Sequence, residues 1–338
     1  MLFKNVSIHT VAHLEAPVRV TSAEISARLA KTLTRLKLPL NYLERMTGIK
    51  ERRFWDKNQL PSEVATLVAE KVIAKSGLSK NDIGAVINTS ITKEFIEPSI
   101  AAIIHGNLKM PAECMNFDLT NACLGFLNGI HIAASMIEGG QMDHVLVVAG
   151  ENSYDIVETT LERLEKETTT QQNFIQQIAT LTCGSGAVAM IISRTDLAPF
   201  GHPILGMETL SATEHSHLCC ASSDRMVTNA PKIVEFGVHL LFKTHQKAQA
   251  SLGWKTADFD EFALHQVSKP MINLLVKTLD IDDERVMRTY PDYGNMGPIS
   301  LPFTIAKLET TKRLVPGKQL AMIGAGSGLN SMMMKIQW

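Results

Sequence analysis

Short apolar runs alternate with longer segments of helical period along the whole chain. Residues 85–89, 114–119, 145–149 and 187–193 are rich in Val, Ile, Ala and Met, are of strand length and are bounded by polar or turn residues, so they predict β-strands. Between them, 124–138 has apolar residues at helical spacing and stops at Gly139-Gly140, while 61–75 has Pro61 in its first turn and Gly77 just beyond its end. Proline is tolerated where the first N–H of a helix is unpaired anyway, and glycine accepts the turn that closes a helix. The polar stretch 158–177 predicts a helical excursion on the surface, broken near 168–170. Such alternation predicts an α/β fold.

The pattern is interrupted at Ala198-Pro-Phe-Gly-His-Pro203 and then partly repeats. Residues 259–265 predict a strand ending in a polar residue, 270–279 a helix, and 319–324 a strand ending in glycine, like 145–150. The expected division is into halves 1–196 and 197–338, each presenting side chains where a strand gives way to a helix. Halves that meet at their strand ends would share one cleft.

Composition narrows the field. The net charge is −1, from 33 basic and 34 acidic residues, which leaves no electrostatic footprint for nucleic acid. No apolar run approaches the length of a membrane span, and the first ten residues lack a signal-peptide pattern, so a cytoplasmic, non-membrane protein is expected. The five cysteines contain no CxxC pair and no zinc spacing, and their odd number argues against a disulfide framework. Cys114 and Cys183 read as small core residues, and Cys219-Cys220 receives no role.

Cys123 stands where the strand 114–119 passes through Thr-Asn-Ala into the helix 124–138. A helix N-terminus favours a thiolate, which would lower the thiol pKa and give a nucleophile; a buried structural cysteine is the other reading of the same residue. His265 ends its strand in Ala-Leu-His-Gln-Val-Ser, where the following polar residues could fix one tautomer, or where it is simply a satisfied structural histidine. Asn295 lies in Tyr-Gly-Asn-Met-Gly-Pro, as either a turn residue or a donor on a rigid loop. Gly324-Ala-Gly-Ser-Gly-Leu-Asn330 follows a strand without matching a nucleotide-binding motif, and its glycines would let backbone N–H groups approach an oxyanion.

Taken together, these four segments and the early Thr47-Gly-Ile-Lys-Glu-Arg-Arg53 resemble the ketoacyl synthase III branch of the thiolase superfamily, over the whole chain. The resemblance implies a thiolase fold of two βαβαβαββ halves in a five-layered αβαβα core. It also implies a homodimer, and no cofactor beyond the CoA thioesters that are its substrates. Cys123 matches the acyl-carrying nucleophile, His265 and Asn295 match the His/Asn pair, and Ser327 matches an oxyanion-hole N–H beside that of Cys123. A tryptophan and an arginine that hold CoA in that branch are replaced by Tyr42 and Met46. Arg45, Lys50, Arg52 and Arg53 are candidates to take over the phosphate contacts.

The carbanion source separates two readings. Decarboxylation of malonyl-ACP needs no strong base, whereas joining two plain acyl groups requires one. Glu97, in Lys93-Glu-Phe-Ile-Glu-Pro98-Ser, is a candidate base, or a carboxylate capping the helix that follows it. This segment resembles enzymes of the branch that condense two long-chain fatty acyl-CoAs without decarboxylation, opening head-to-head olefin biosynthesis. There the matching glutamate enters the partner subunit's site. The expected product is a β-ketoacyl thioester or β-keto acid, passed to downstream olefin-pathway enzymes; the alternative is a decarboxylative 3-oxoacyl-ACP synthase III.

Overall fold

The computed structural model describes residues 1–338. Nine strands form the main sheet: β1 (Val6–Glu15), β2 (Ala85–Asn88), β3 (Met115–Asp118), β4 (His144–Glu151), β5 (Gly186–Arg194), β6 (His202–Ser211), β7 (Glu261–Leu264), β8 (Gln319–Gly326) and β9 (Asn330–Gln337). Their spatial order is β7-β8-β9-β6-β1-β5-β4-β2-β3. The join between β6 and β1 is only two residue pairs wide, Ser7 with Pro203 and Ile8 with His202. On one side β1, β5 and β4 pair antiparallel, then β4, β2 and β3 parallel. On the other side β6, β9 and β8 pair antiparallel and β7 joins β8 in parallel, with Val286 bridged in parallel to Phe262 where a fifth strand would stand. The same order and the same directions therefore occur twice.

Helices form the remaining layers: α1 (Pro61–Ser76), α2 (Ile100–Leu108), α3 (Gly125–Glu138), α4 (Ala230–Leu252), α5 (Lys269–Thr278) and α6 (Ser300–Thr310). The apolar strands are buried on both faces, which is why they read as continuous runs rather than alternating ones. In β5, Val188, Met190 and Ile192 point into the core built on α3 and α6, while Ala187, Ala189 and Ile191 point into the core built on α1 and α2. In β8, Leu320 and Met322 face the α3/α6 layer, while Ala321 and Ile323 face the core that contains Leu241 of α4 and Leu275 of α5. Five layers result, α–β–α–β–α, as the resemblance implied.

The predicted elements fall within a few residues of the observed ones. Gly77 takes the left-handed conformation after α1, and the surface excursion is two helices, Tyr154–Leu164 and Gln171–Gln177. The stop after α3 differs in detail: Gly140, not Gly139, has the positive φ, at +67°. Gly129 lets α3 lie close on the sheet, since a Cβ there would come within 2.8 Å of Thr89 Cγ2 and Val147 Cγ1.

Candidate active site

Cys123 sits on a tight turn between β3 and α3. Ala122 before it takes φ +45°, a conformation that costs a non-glycine residue energy. The N–H groups of Leu124 and Gly125 close the turn onto the carbonyls of Asn121 and Ala122, both at 3.0 Å. The backbone N–H of Cys123 finds no acceptor on another residue. Leu124 is buried against the glycine-containing end of β8: a Cβ on Gly324 would stand 2.5 Å from Leu124 Cδ2, and one on Gly326 3.3 Å from the Leu124 backbone N. Only glycine allows this approach, and it brings the Ser327 segment beside the cysteine turn. Asn330 Nδ2 donates to Asn121 Oδ1 at 3.1 Å, fastening the two loops together. The Ser327 N–H has no acceptor within the chain.

His265 follows β7 directly, and its N–H donates to Ile323 O at 3.1 Å. The side chain is buried, and Nε2 has no hydrogen-bond partner. Burial pushes its pKa down to about 4, partly opposed by the Asn295 side chain and the Ala325 carbonyl, so the ring is neutral near pH 7. Asn295 is held by its backbone: its N–H donates to Thr182 O at 2.9 Å and its carbonyl accepts from Gly184 N–H at 3.0 Å. Its side-chain oxygen accepts from Gly297 N–H at 3.0 Å, which leaves the amide NH2 for another acceptor. The residues after His265 do not fix its tautomer as expected. Gln266 turns away, donating to Leu264 O and Met287 O and accepting from Thr289 N–H, so it anchors the strand to the segment leading to Asn295.

The electrostatics of Cys123 differ from the sequence expectation. Burial raises its thiol pKa to about 12, with Cys219, Cys183 and Glu151 adding to the rise, and the helix N-terminus does not overcome this. Cys123 is thus a neutral thiol at rest. The cysteines that composition set aside belong here. Cys183 is bridged to Asn295 rather than lying in a closed core, and Cys219 lies near the Ser327 side chain, which holds down the Cys219 pKa against the rise from burial. Glu151, at the end of β4, is a further buried group that the sequence reading passed over. Its signal was present: a carboxylate at the carboxyl end of an otherwise apolar strand, where α/β sheets place ligands.

Glu97 is not brought to the other candidates within the chain. It lies exposed on the segment between β2 and α2, with no hydrogen bond or ion pair. Phe95 is 53% exposed and Ile96 97%. The strand beside it, β3, is the edge of the sheet, and its Met115 is 50% exposed. Of the basic residues near the Thr47–Arg53 stretch, Arg52 is not available to a ligand: it is fully buried and donates to Ser22 Oγ and Val20 O. Arg53 lies over the Tyr293 ring at 5.6 Å. Arg45 and Lys50 line an open groove of about 480 Å³ with Lys269 and Tyr290. Tyr42 packs beside Phe174, and Met46 is exposed. No group of three or more His, Cys, Asp or Glu side chains is arranged to hold a metal ion, and no helix is long and apolar enough to cross a membrane.

Comparison with known proteins places this geometry in context. The family model of 3-oxoacyl-[acyl-carrier-protein] synthase III matches residues 117–211, and the model of its C-terminal part matches residues 249–338. An acyl-CoA:acyl-CoA alkyltransferase of Xanthomonas campestris pv. campestris is 42% identical, over 100% of both chains. The crystal structure of Xanthomonas campestris OleA with a cysteine replaced by serine, with bound lauric acid and lauroyl-CoA, superposes with a TM-score of 0.98 at 41% identity, covering 100% of each chain. A β-ketoacyl-[acyl-carrier-protein] synthase III of Chlamydia pneumoniae is 29% identical, over 84% of each chain.

Proposed function

Since this chain belongs to the acyl-CoA:acyl-CoA alkyltransferase family, we propose that it joins two long-chain acyl-CoA molecules by a non-decarboxylative Claisen condensation, the first step of head-to-head olefin biosynthesis. The likeness supports this over decarboxylative synthesis, being stronger to the alkyltransferase than to the ketoacyl synthase III. Cys123 is the acyl carrier. Its sulfur attacks the thioester carbonyl of the first acyl-CoA, the thiol proton passes by way of neutral His265 to the departing CoA sulfur, and an acyl-cysteine remains. The unpaired N–H groups of Cys123 and Ser327 receive the oxyanion of the tetrahedral intermediate.

The second acyl-CoA places its thioester oxygen by His265 and the free Asn295 amide. Glu97 of the partner subunit takes the α-proton, and the enolate carbon attacks the acyl-cysteine. A C–C bond forms, the C–S bond to Cys123 breaks, the proton held by Glu97 returns to the departing sulfur, and a β-ketoacyl-CoA leaves, or a β-keto acid after hydrolysis. The observation that carries this reading is the exposed segment at residues 95–98 beside the unpaired edge strand β3. An apolar edge is suited to pairing with a second copy of the chain, and a carboxylate with no partner in its own chain is free to serve the neighbouring site. In this reading residues 1–196 form the half with the nucleophile and 197–338 the half with the His/Asn pair. The site would work in the cytoplasm, on acyl-CoA substrates and with no cofactor.

Incubation with myristoyl-CoA alone, without malonyl-ACP, tests the reading. A β-keto acid, or the ketone from its decarboxylation, is expected; recovery of myristic acid only would overturn it. Full condensation by Glu97→Ala would return the assignment to a decarboxylative synthase.

A further inference from the structure

One buried carboxylate takes no part in that chemistry. Glu151 is 3% exposed at the end of β4. Its side-chain oxygens accept from Ile91 N–H at 2.7 Å, Thr92 N–H at 3.1 Å and Thr92 Oγ1–H at 2.9 Å. All three donors belong to the two residues that open the segment leading to Glu97. A second carboxylate holds the far end of that segment: Asp118 accepts from Ile100 N–H at 3.2 Å and Ala101 N–H at 2.9 Å, and pairs with Lys93 at 3.2 Å. Between these anchors Glu94 accepts from the N–H and the hydroxyl of Ser62, and residues 95–98 make no hydrogen bond within the chain.

A tip with no hydrogen bonds of its own takes its direction from its base. Burying a carboxylate is costly, and the cost, which pushes the Glu151 pKa up to about 7, is partly offset by charge-assisted bonds to backbone N–H groups that would otherwise be unsatisfied. An apolar residue would fill the same space without holding Ile91 and Thr92. We propose that Glu151 is a positioning residue for the condensation step: by fixing Ile91 and Thr92 it sets how far Glu97 reaches, so its effect falls on the partner subunit's site and not on its own. This rests on the reading of Glu97 as a base delivered across a dimer. The competing possibility is that Glu151 acts within its own chain, because its charge lies close enough to Cys123 and Cys183 to oppose their ionisation.

Mixed dimers of differently tagged full-length chains separate the two. The Glu151→Gln homodimer is expected to condense myristoyl-CoA about tenfold to a hundredfold more slowly, the scale of a displaced catalytic group. Its acylation at Cys123, read by intact mass in a single turnover, stays within about twofold of wild type. Thr92→Ala, which removes one of the three donors, gives a smaller loss of the same kind. In a dimer of one Glu151→Gln chain and one Cys123→Ala chain, the surviving cysteine is served by the intact segment of its partner. Condensation per acylatable cysteine then returns to within about twofold of wild type.

Failure to recover in that mixed dimer overturns the proposal, as does an equal loss of acylation in the homodimer, or condensation by Glu151→Gln at the wild-type rate. A Glu97→Gln chain mixed with Cys123→Ala tests the underlying reading separately. No recovery there removes Glu97 as a base in trans, and this proposal with it. Recovery there, with none for Glu151→Gln, removes Glu151 alone.

Discussion

The side-chain amide of Asn330 donates to Asn121 Oδ1 at 3.1 Å, across 209 positions of sequence. Asn121 also donates to Asn128 Oδ1 on α3 at 2.8 Å. One short chain of amides thus runs from the loop of Ser327, through the turn of Cys123, into the helix behind it. Asn330→Ala leaves Asn121 without that donor, at a stability cost of about 1 kcal/mol. Single-turnover acylation by myristoyl-CoA is expected to slow about tenfold, since the Cys123 and Ser327 N–H groups proposed to receive the oxyanion lose their common anchor. An unchanged acylation rate would show that the loops hold their places without it.

A thiol whose pKa is raised to about 12 holds almost no thiolate at neutral pH. The rate of iodoacetamide labelling at Cys123, followed by peptide mass, is therefore expected to climb about tenfold per pH unit from 7 to 10 without a plateau. A plateau near pH 7 would mean that the resting enzyme stores a thiolate, as the helix-start position alone had suggested.

The pKa of His265 is lowered from 6.5 to about 4 by burial. The unfolded chain therefore binds the proton more readily between these values, and stability rises with pH across that window and is lost as pH falls through it. A shift of this size corresponds to about 3 kcal/mol. His265→Asn is expected to lose about that much less stability than wild type between pH 6.5 and 4, by urea denaturation. Parallel curves for the two proteins would contradict the buried neutral ring.

Arg52 and Arg45 are expected to behave oppositely. Arg52→Ala opens a cavity and removes the guanidinium donors of Ser22 Oγ and Val20 O, at a cost of about 3 kcal/mol or more. Arg45→Ala changes an exposed groove residue, with stability within about 0.5 kcal/mol of wild type, and raises KM for acyl-CoA if the groove meets the nucleotide. Thermal melts and KM values together decide; a stable Arg52→Ala protein with raised KM would reverse the two roles.

Ile96, 97% exposed beside β3, is a test of assembly. Ile96→Asp is expected to weaken self-association in light scattering and to lower condensation while sparing acylation of Cys123. A variant that remains dimeric and fully active would place the interface elsewhere.

Much of this architecture was legible in the sequence because strands buried on both faces are plain in composition, and because proline and glycine mark helix ends. The turn at Cys123 and the position of His265 were legible as places where strands stop, and Asn295 as a residue of a glycine-flanked loop. What was not legible depended on distance in space. Cys183 and Cys219 stand in unrelated sequence surroundings, and only the fold brings them to Cys123. Arg52 and Arg53 look alike in the chain, yet strand pleating turns one inward and leaves the other partly open. The thiol pKa was misjudged for the same reason: a helix start can be seen in a sequence, but the desolvation that outweighs it cannot.

The two-pair join between β1 and β6 has a mechanical meaning. Cys123 stands on one side of it and His265, Asn295 and Ser327 on the other, so the distances that matter for chemistry are spans between two bodies. Backbone bonds also join the bodies outside the sheet, at Met207 N–H to Met1 O and at Asn295 with Thr182 and Gly184, and the shared layer of α3 and α6, where Phe126 and Phe303 are fully buried in one core, sets the rest of the alignment. That layer works as a spacer gauge. A change in its thickness would be felt first as a mis-set gap between nucleophile and donors, while each body still kept its own fold.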